Sequence, residues 1–550
     1  MSIKNWWVTR PKRKLNSIPE LLAQFVSVAA NNEWSGNRDL HIAFENAIES
    51  TNLKRIGERR DASGSGGRTY IAWMKSLGLL FAQNSTNKMY LTLAGEAIIS
   101  GENIQKVLSH QVIRYQFPSL FSCNVRVDPR FRIHPFWFLL KLLSDSRLEY
   151  LTEEEISHII IVQAENESDK CYESVVKEIL SFRNDTNLAI SSLFRSYYEE
   201  FNITSYSQKS QYLDDIGNTI INWLDYTQLI VREPVKIRLS SEKVNYVNEI
   251  IKSHLPFIPN PENEEVFQRK YGLCPWQTKD TRNLTKTPTI TPKVIRDNKI
   301  RFAFFSESLK RPITRIDARL IETISEKTGY TEREVEDSLH KNYAKQMAGI
   351  LTTFLANYRD MAFASREKAT EFELATVEIF KDVFGMKAFH VGPKGKTPDV
   401  LVLSDEEGYS GIIDNKAYSQ YSITNDHHNR MVKNYIGEFG RYSDGAPSPA
   451  FFSYIAGGFV SKIDTELQSI TQETSVPGSA MKVDNMINLI QNYDTSRYTH
   501  SSLRNLFSLG REISLTDIQS LSGNKKLTLK TSPTIPYNQS EEQSSIAAEP

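Results

Sequence analysis

The sequence predicts a multidomain protein in which mainly α-helical, winged-helix-like domains are followed by an α/β domain with a central mixed sheet. Its 550 residues suffice for three or four domains at about 100–200 residues each. Helical periodicity in the first half gives way twice to a pair of short strands, and the C-terminal third contains apolar runs of strand length between helices. Helices that flank a mixed sheet indicate an α/β domain.

The composition is that of an ordinary globular protein. Hydrophobic residues make up 40% and charged residues 24%, and the net charge is zero, so any nucleic-acid surface must be local. Cys123, Cys171 and Cys274 lie far apart without CxxC spacing, which argues against a disulfide framework and against a zinc site. With no signal-peptide core and no apolar run near the ~20 residues of a membrane span, we expect a cytoplasmic protein without a membrane partner.

Residues 1–105 are predicted to form a first winged-helix-like domain. Helical spacing predicts three helices, at Ile18–Ala30, Asp39–Ser50 and Thr69–Leu77. The segments Leu79–Phe81 and Met89–Thr92 then form a predicted hairpin. Helices followed by a hairpin are typical of the winged helix, a common DNA-reading architecture.

Two basic segments of this domain are candidates for DNA contact. The segment Met1–Leu15 carries basic residues and no acid, interleaved with Trp6 and Trp7, and arginines flank a Gly/Ser loop before the third helix. Such side chains can lie on phosphates or read guanine edges. The alternatives are a terminus whose tryptophans pack on the domain and a solvated surface loop. The candidate contacts are Lys12, Arg13, Arg59, Arg60 and Arg68.

Residues 106–255 are predicted to form a second winged-helix-like DNA-recognition domain, a degenerate repeat of the first. Thr152 and Glu155 form a predicted capping box for the helix that follows, and the helix Tyr212–Leu224 leads into a strand, a turn and a second strand. Residues 256–366 begin with a proline-containing connector and continue as a helical spacer. The predicted spacer helices are Ile316–Thr328, Glu332–His340 and Ala344–Tyr358.

Residues 367–530 are predicted to form the α/β domain, organised around two acids and a lysine. Asp399 directly precedes an apolar run, an acidic Gly-containing turn follows, and the next strand delivers Asp414 and Lys416 to one face. Two adjacent carboxylates need a cation, Mg²⁺ accepts such hard oxygen ligands, and a neighbouring lysine can hold or deprotonate a water. This is the chemistry of metal-assisted phosphodiester hydrolysis. The alternative is that the aspartates are strand-end residues and the lysine a solvated neighbour.

Other polar side chains of this domain are weaker candidates. Glu373 and Glu378 lie on a predicted helix, Glu371–Phe384, where they either add a metal ligand or are surface charges. His427 and His428 have no further histidine or cysteine at ligand spacing, so we expect a structural or surface role for both. Residues 531–550 have the composition of a disordered tail.

The motif TPD, followed after fourteen residues by DNKAYS, resembles the PD-(D/E)xK nuclease motif. IIDNKAYS and YIAGGF resemble the cleavage domain of FokI-type restriction enzymes, and YIAWMKSLGLLFAQNSTNKMYLTLAGEAI with HQVIRYQFPSLF resembles the AlwI-type family, which includes nicking enzymes. The resemblance implies a type IIS restriction endonuclease that binds double-stranded DNA, uses Mg²⁺ and works alongside a cognate DNA methyltransferase. It implies Asp399, Asp414 and Lys416 as catalytic residues, the two aspartates being metal ligands. The alternatives are a strand-specific nicking enzyme of the same family and a non-catalytic winged-helix regulator.

The resemblance also implies a transient homodimer, because FokI-type enzymes pair two cleavage domains through a helix after the catalytic lysine. The corresponding segment here is Asn425–Phe439, with an apolar stripe that includes Met431, Val432, Tyr435 and Ile436. Arg430 and Asn434 stand where that helix carries an acid and an arginine that pair across the interface. We therefore expect weak or altered self-association. The alternative is that the stripe belongs to the core.

Overall fold

The computed structural model describes residues 3–57, 61–119, 121, 126–185, 206–233, 235–253, 255–258, 263–284, 291–392, 396–492 and 498–521, with only the backbone described at 206–209. The candidate contacts Arg59 and Arg60 and the predicted tail, 531–550, lie outside these ranges. Among the described residues, no helix combines the length and apolarity needed to cross a membrane.

The first unit has the element order predicted for it. Its three helices precede an antiparallel pair formed by β1 (Leu80–Ala82) and β2 (Met89–Leu91). Gly64 begins the third helix at φ +78°, and a Cβ at this glycine would lie 2.6 Å from the Cβ of His41, so the close approach of the second and third helices depends on it. The helices are Ile18–Val28, Arg38–Ser50 and Ser65–Ser76, and Leu93–Ser100 and Ile104–Ile113 follow the hairpin.

The second unit contains a three-stranded antiparallel sheet, in the order β3 (Leu151–Thr152), β5 (Lys236–Leu239), β4 (Ile230–Arg232). The predicted capping box at Thr152 and Glu155 is present. The helix that it begins passes from α to π and back to α, a change that the apolar pattern does not reveal. Its helices are Pro135–Leu143, Glu153–Glu155 with the π segment Ile156–Ile160 and Ile161–Gln163, Asp169–Asn184, Tyr206–Tyr226, the short 3₁₀ turn Ser241–Lys243, and Val244–Lys252.

The predicted connector and spacer pack closely on these two units. The helix Glu264–Tyr271 falls in the proline-containing connector, and its Phe267 and Tyr271 are buried. Ile300, Phe304 and Ile350 of the spacer belong to the same continuous core as the N-terminal residues. The remaining helices of this region are Pro292–Ser308, Ala318–Thr328, Glu332–Tyr343 and Met347–Ala362.

The C-terminal unit is an α/β domain with a five-stranded mixed sheet, as predicted. The strands are β6 (Lys387–His390), β7 (Val400–Ser404), β8 (Tyr409–Lys416), β9 (Pro449–Ala456) and β10 (Gly478–Lys482). They lie in the order β10-β9-β8-β7-β6, antiparallel from β6 to β8 and parallel from β8 to β10.

Helices cover both faces of this sheet, each over a separate apolar cluster. Val400 and Ile413 face one cluster, which the helix Ala369–Asp382 covers, and Leu401 and Ile412 face the other. The remaining helical segments are the 3₁₀ turn Ser365–Lys368, Asn425–Asn429 with the π segment Arg430–Ile436, the 3₁₀ turn Phe439–Arg441, Ile463–Thr474, Val483–Gln491, His500–Phe507 and Leu515–Leu521.

Candidate active site

The hairpin of β7 and β8 brings the two predicted acids and the lysine together. Because Val400 pairs with Ile413, Asp399 comes opposite Asp414 one position further on. The backbone N–H of Asn415 donates to Asp399 Oδ2 at 2.7 Å. Lys416 Nζ lies 2.7 Å from Asp414 Oδ2 and 4.0 Å from Asp399 Oδ2. One ammonium therefore bridges two carboxylates at the end of the sheet.

Burial makes the charges of this cluster interact strongly. Burial raises the pKa of Asp399 well above its usual range, and the neighbouring Asp414 raises it further, against the opposing charge of Lys416. Burial alone would lower the pKa of Lys416, but attraction to Asp414 and Asp399 outweighs this and raises it. Lys416 is therefore an ammonium at neutral pH, and the two acids repel one another.

The carboxylates fit a divalent cation. Asp414 is buried and its Oδ1 accepts no hydrogen bond in the described part of the chain, which leaves an oxygen available as a ligand. No cluster of three or more His, Cys, Asp or Glu side chains with metal-binding geometry occurs among the described residues. Mg²⁺ is commonly held by one or two carboxylates together with waters and phosphate oxygens, so a pair of aspartates suits this ion.

Hydrogen bonds on the opposite face of β8 hold in place the sheet edge that carries Asp399, Asp414 and Lys416. Asn415 Nδ2 donates to Thr376 Oγ1 at 2.7 Å, and Tyr358 Oη lies 2.9 Å from the same oxygen. Thr376 in turn donates to the carbonyl of Phe372, so its two lone pairs are left for Asn415 and Tyr358. The residue between Asp414 and Lys416 is thus fastened to the helix Ala369–Asp382.

The two glutamates on that helix differ in position. Glu373 Oε2 lies 2.7 Å from His390 Nε2, and its charge acts on both Asp399 and Lys416. Glu378 instead pairs with Arg319 of the spacer at 2.6 Å. Glu373 is therefore near Asp399 and Lys416, whereas Glu378 joins the domain to its neighbour.

Three tyrosines lie around Asp414, and the sequence did not predict any of them at this position. Tyr454 on β9 pairs in register with Asp414, and its Oη has no hydrogen-bond partner in the described ranges. Burial raises the pKa of Tyr421, Tyr435 and Tyr454, and the charge of Asp414 adds to the effect in each. Strand alternation on β9 points to Tyr454, but no local pattern indicates Tyr421 or Tyr435, because their approach depends on the loops after β8.

The predicted DNA contacts that the structure describes are engaged with the protein. Arg68 Nη1 donates to the carbonyl of Ser63 at 2.7 Å, so this arginine holds its own loop. Arg13 lies 2.5 Å from Asp215, with its side chain 62% exposed. Burial lowers the pKa of Lys12. The N-terminal segment packs on the protein through the wholly buried Trp6, as in the alternative given above.

The predicted dimer stripe requires a correction at two positions. Met431 and Tyr435 are buried in the apolar cluster on one face of the sheet, and Val432 and Ile436 are partly buried against it. All four stripe residues also lie in the π helix Arg430–Ile436, which changes the angular spacing of their side chains. Met431 and Tyr435 cannot form a contact surface while the domain keeps this packing.

Two family models match the chain, and both describe restriction endonucleases. The AlwI restriction endonuclease family matches residues 75–358, and the FokI cleavage domain matches residues 329–514. Among curated proteins, none matches the chain.

Solved structures are similar only distantly. Restriction endonuclease FokI is 14% identical over 93% of this chain and 100% of its own, with a TM-score of 0.27. The BpuJ1 endonuclease binding domain, solved with modified DNA, is 12% identical over 50% of this chain and 97% of its own, with a TM-score of 0.34. The assignment of the chain therefore depends on the family matches.

Proposed function

The chain belongs to the AlwI restriction endonuclease family and is a type II site-specific deoxyribonuclease, and from this premise we propose a type IIS mode of action. The enzyme recognises a short asymmetric sequence in double-stranded DNA and hydrolyses phosphodiester bonds at a fixed distance outside it, with Mg²⁺. The observation that carries the proposal is the cluster of Asp399, Asp414 and Lys416, in which one lysine Nζ bridges two carboxylates.

Each residue of the cluster has a role in this proposal. Asp399 and Asp414 hold Mg²⁺, which supplies Lewis-acid polarisation of the phosphate. Lys416, kept as an ammonium, donates one hydrogen bond to Asp414 Oδ2. Its other N–H groups hold the attacking water or the phosphate oxygens that gain negative charge as water adds to phosphorus.

DNA reading is assigned to the two N-terminal units, which we interpret as winged helices. The observation in support is that helices followed by an antiparallel hairpin occur in both. Arg59, Arg60, Arg68, Lys12 and Arg13 remain the proposed contacts. Arg13 is the most accessible of those described, and Arg68 donates to the carbonyl of Ser63 in the segment that leads into the third helix. A cognate DNA methyltransferase protects the host sequence without binding this chain.

Cleavage of both strands requires a second active site, which a transient homodimer of the C-terminal domain provides. A strand-specific nicking enzyme is the second candidate. The burial of Met431 and Tyr435 favours it, because it removes apolar surface from the segment expected to pair.

A plasmid digest with Mg²⁺, followed by sequencing of the ends on both strands, tests the proposal. We expect breaks at one offset outside a single asymmetric sequence, with nicked circles appearing first and a rate that rises more than linearly with enzyme. Breaks confined to one strand would select the nicking alternative. Sequence-specific binding without any break under these conditions would overturn the proposed Mg²⁺-dependent cleavage.

A further inference from the structure

A tyrosine and a histidine outside the catalytic cluster form a hydrogen-bonded pair beside it. Tyr421 is held to the end of β9, since its N–H donates to the Gly458 carbonyl at 2.8 Å and its carbonyl accepts from Val460 at 3.0 Å. The ring of Tyr421 lies 5.4 Å from the ring of Tyr454, the register partner of Asp414. Tyr421 is therefore anchored one side chain away from a catalytic carboxylate.

The hydrogen bond between the pair determines which nitrogen of the histidine is available. Tyr421 Oη lies 2.9 Å from His427 Nδ1. Burial raises the pKa of the tyrosine, so the phenol keeps its proton, and within the described ranges no other acceptor for that proton is found. Burial and the charge of Lys416 lower the pKa of His427, which favours the neutral ring. If the phenol donates to Nδ1, the ring proton is on Nε2.

His427 Nε2 has no hydrogen-bond partner in the part of the chain that the structure describes, and the side chain is half-buried. His427 bonds to Tyr421, whose ring lies beside Tyr454, the register partner of Asp414, so the imidazole is at the sheet edge that carries Asp414 and Lys416. The charges of Lys416 and Asp414 both act on it. A neutral N–H donor at an edge that must accommodate a phosphodiester is suited to an anionic phosphate oxygen.

We propose that His427 donates a hydrogen bond from Nε2 to a non-bridging oxygen of a backbone phosphate at or next to the scissile bond, and that Tyr421 positions the ring for it. The inference deepens the proposed function and depends on it. It assigns a contact with a substrate phosphate to His427, which lies outside the cluster of Asp399, Asp414 and Lys416.

The neighbouring histidine provides a matched control. His428 Nε2 lies 3.3 Å from Ser469 Oγ and 3.3 Å from Glu473 Oε1, so its outer nitrogen is already engaged by the helix Ile463–Thr474. Two adjacent histidines thus differ in one respect that matters, the availability of Nε2.

Two amide substitutions separate the two nitrogens of His427. In His427→Asn the amide can still bond to Tyr421 near the position of Nδ1 but no donor reaches the position of Nε2, whereas His427→Gln restores a donor there. We expect His427→Asn to slow single-turnover cleavage about 10- to 100-fold, the loss typical of one hydrogen bond to a charged group. DNA affinity and melting temperature should stay near wild type. His427→Gln should recover most of the rate, and His428→Gln should cleave normally.

Tyr421→Phe tests the positioning role. It should slow cleavage when His427 is present and should add nothing to His427→Asn, because the tyrosine acts through that ring. Additive losses would overturn this part of the inference.

A neutral methylphosphonate in place of each phosphate near the cut tests the contact itself. At one phosphate position the methylphosphonate should slow cleavage by the wild-type enzyme, and at the same position it should not slow cleavage by His427→Asn any further. Wild-type rate in His427→Asn would overturn the proposal, and so would a slow variant with a lowered melting temperature that Gln does not rescue. If the wild-type enzyme fails to cut DNA with Mg²⁺, the proposed function fails instead.

Discussion

Arg359 joins three parts of the molecule, and replacing it tests how they are held together. This arginine lies on the helix Met347–Ala362, with its Nη1 2.5 Å from Asp225 of the second unit and its Nε 2.7 Å from Asp484 of the C-terminal domain. Nη2 also donates to the carbonyl of Ile230 at 3.4 Å. Burial would lower the pKa of Arg359, but attraction to Asp225 and Asp484 outweighs it.

The burial of each partner sets the expected cost of Arg359→Met. The side chains of Arg359 and Asp225 are 5% and 15% exposed, so removing the arginine leaves the aspartate charge uncompensated, which costs about 3–5 kcal/mol. Asp484 is 39% exposed, and solvent screening reduces its share to at most about 1 kcal/mol. Arg359→Met should therefore lower the free energy of unfolding by about 3–5 kcal/mol, nearly all of it because Asp225 loses its partner. Adding Asp225→Asn should restore most of that free energy.

Equilibrium urea unfolding followed by tryptophan fluorescence measures this loss in the relevant unit. All seven tryptophans lie between Trp6 and Trp276, so the signal reports the part of the chain that contains Asp225. Arg319→Met is the matched control, since Arg319 also ties the spacer to the C-terminal domain but is 49% exposed. We expect Arg319→Met to lower the free energy of unfolding by less than about 1 kcal/mol. Equal losses of unfolding free energy in the two arginine variants, or no recovery in the double variant, would show that Arg359 does not stabilise the fold by compensating Asp225.

Three further predictions concern single residues. Burial, with the charge of Arg114, lowers the pKa of His110 to about 3, so the free energy of unfolding should fall by about 2–3 kcal/mol as the pH drops from 7 to 4. The melting temperature of His110→Gln should depend less steeply on pH. The same steepness as in the wild type would exclude His110 as the cause. The raised pKa of Asp399 means that its ionised carboxylate destabilises the fold at pH values above the carboxyl's unfolded-state pKa. Asp399→Asn should therefore raise the melting temperature at pH 7 without divalent cation, lose that gain near pH 4, and abolish cleavage. A lower melting temperature at pH 7 would contradict this. Arg68→Ala should weaken DNA binding. If its loop reads a base, the loss of binding free energy should be about 1–3 kcal/mol with relaxed specificity at one base, and if the loop contacts phosphates, the affinity should depend less steeply on salt. Unaltered binding would remove the loop from the interface.

The grouping of Asp399, Asp414 and Lys416 could be predicted because the three residues are close in sequence. Asp399, Asp414 and Lys416 lie on one hairpin, where strand alternation and a short turn determine which side chains meet. The neighbouring tyrosines are harder to predict. Strand alternation indicates the face of β9 on which Tyr454 lies, but its position beside Asp414 depends on a parallel pairing whose connection spans the loops after β8.

The elements that the sequence analysis missed have physical reasons of their own. β6 and β10 are the edges of the sheet, and β10 reads GSAMK, with small residues of low strand propensity. The helix Pro292–Ser308 begins directly after a proline- and threonine-rich stretch typical of a connector, although its Pro292 is at the first helical position, where proline is favourable. The burial of Met431 and Tyr435 could not be separated from an exposed stripe, because periodicity shows that a helix has an apolar face but not what covers it.

The most direct test of the central claim is a paired measurement of cleavage and binding for Asp399→Ala, Asp414→Ala and Lys416→Ala. Each variant is incubated with Mg²⁺ and a DNA duplex that the wild-type enzyme cuts, and its affinity for the same duplex is measured separately. We expect all three to lose cleavage and to keep sequence-specific affinity, because Asp399, Asp414 and Lys416 lie at the C-terminal sheet and the N-terminal hairpins belong to separate sheets. Cleavage at the wild-type rate in any of them, or loss of specific binding in all three, would contradict it.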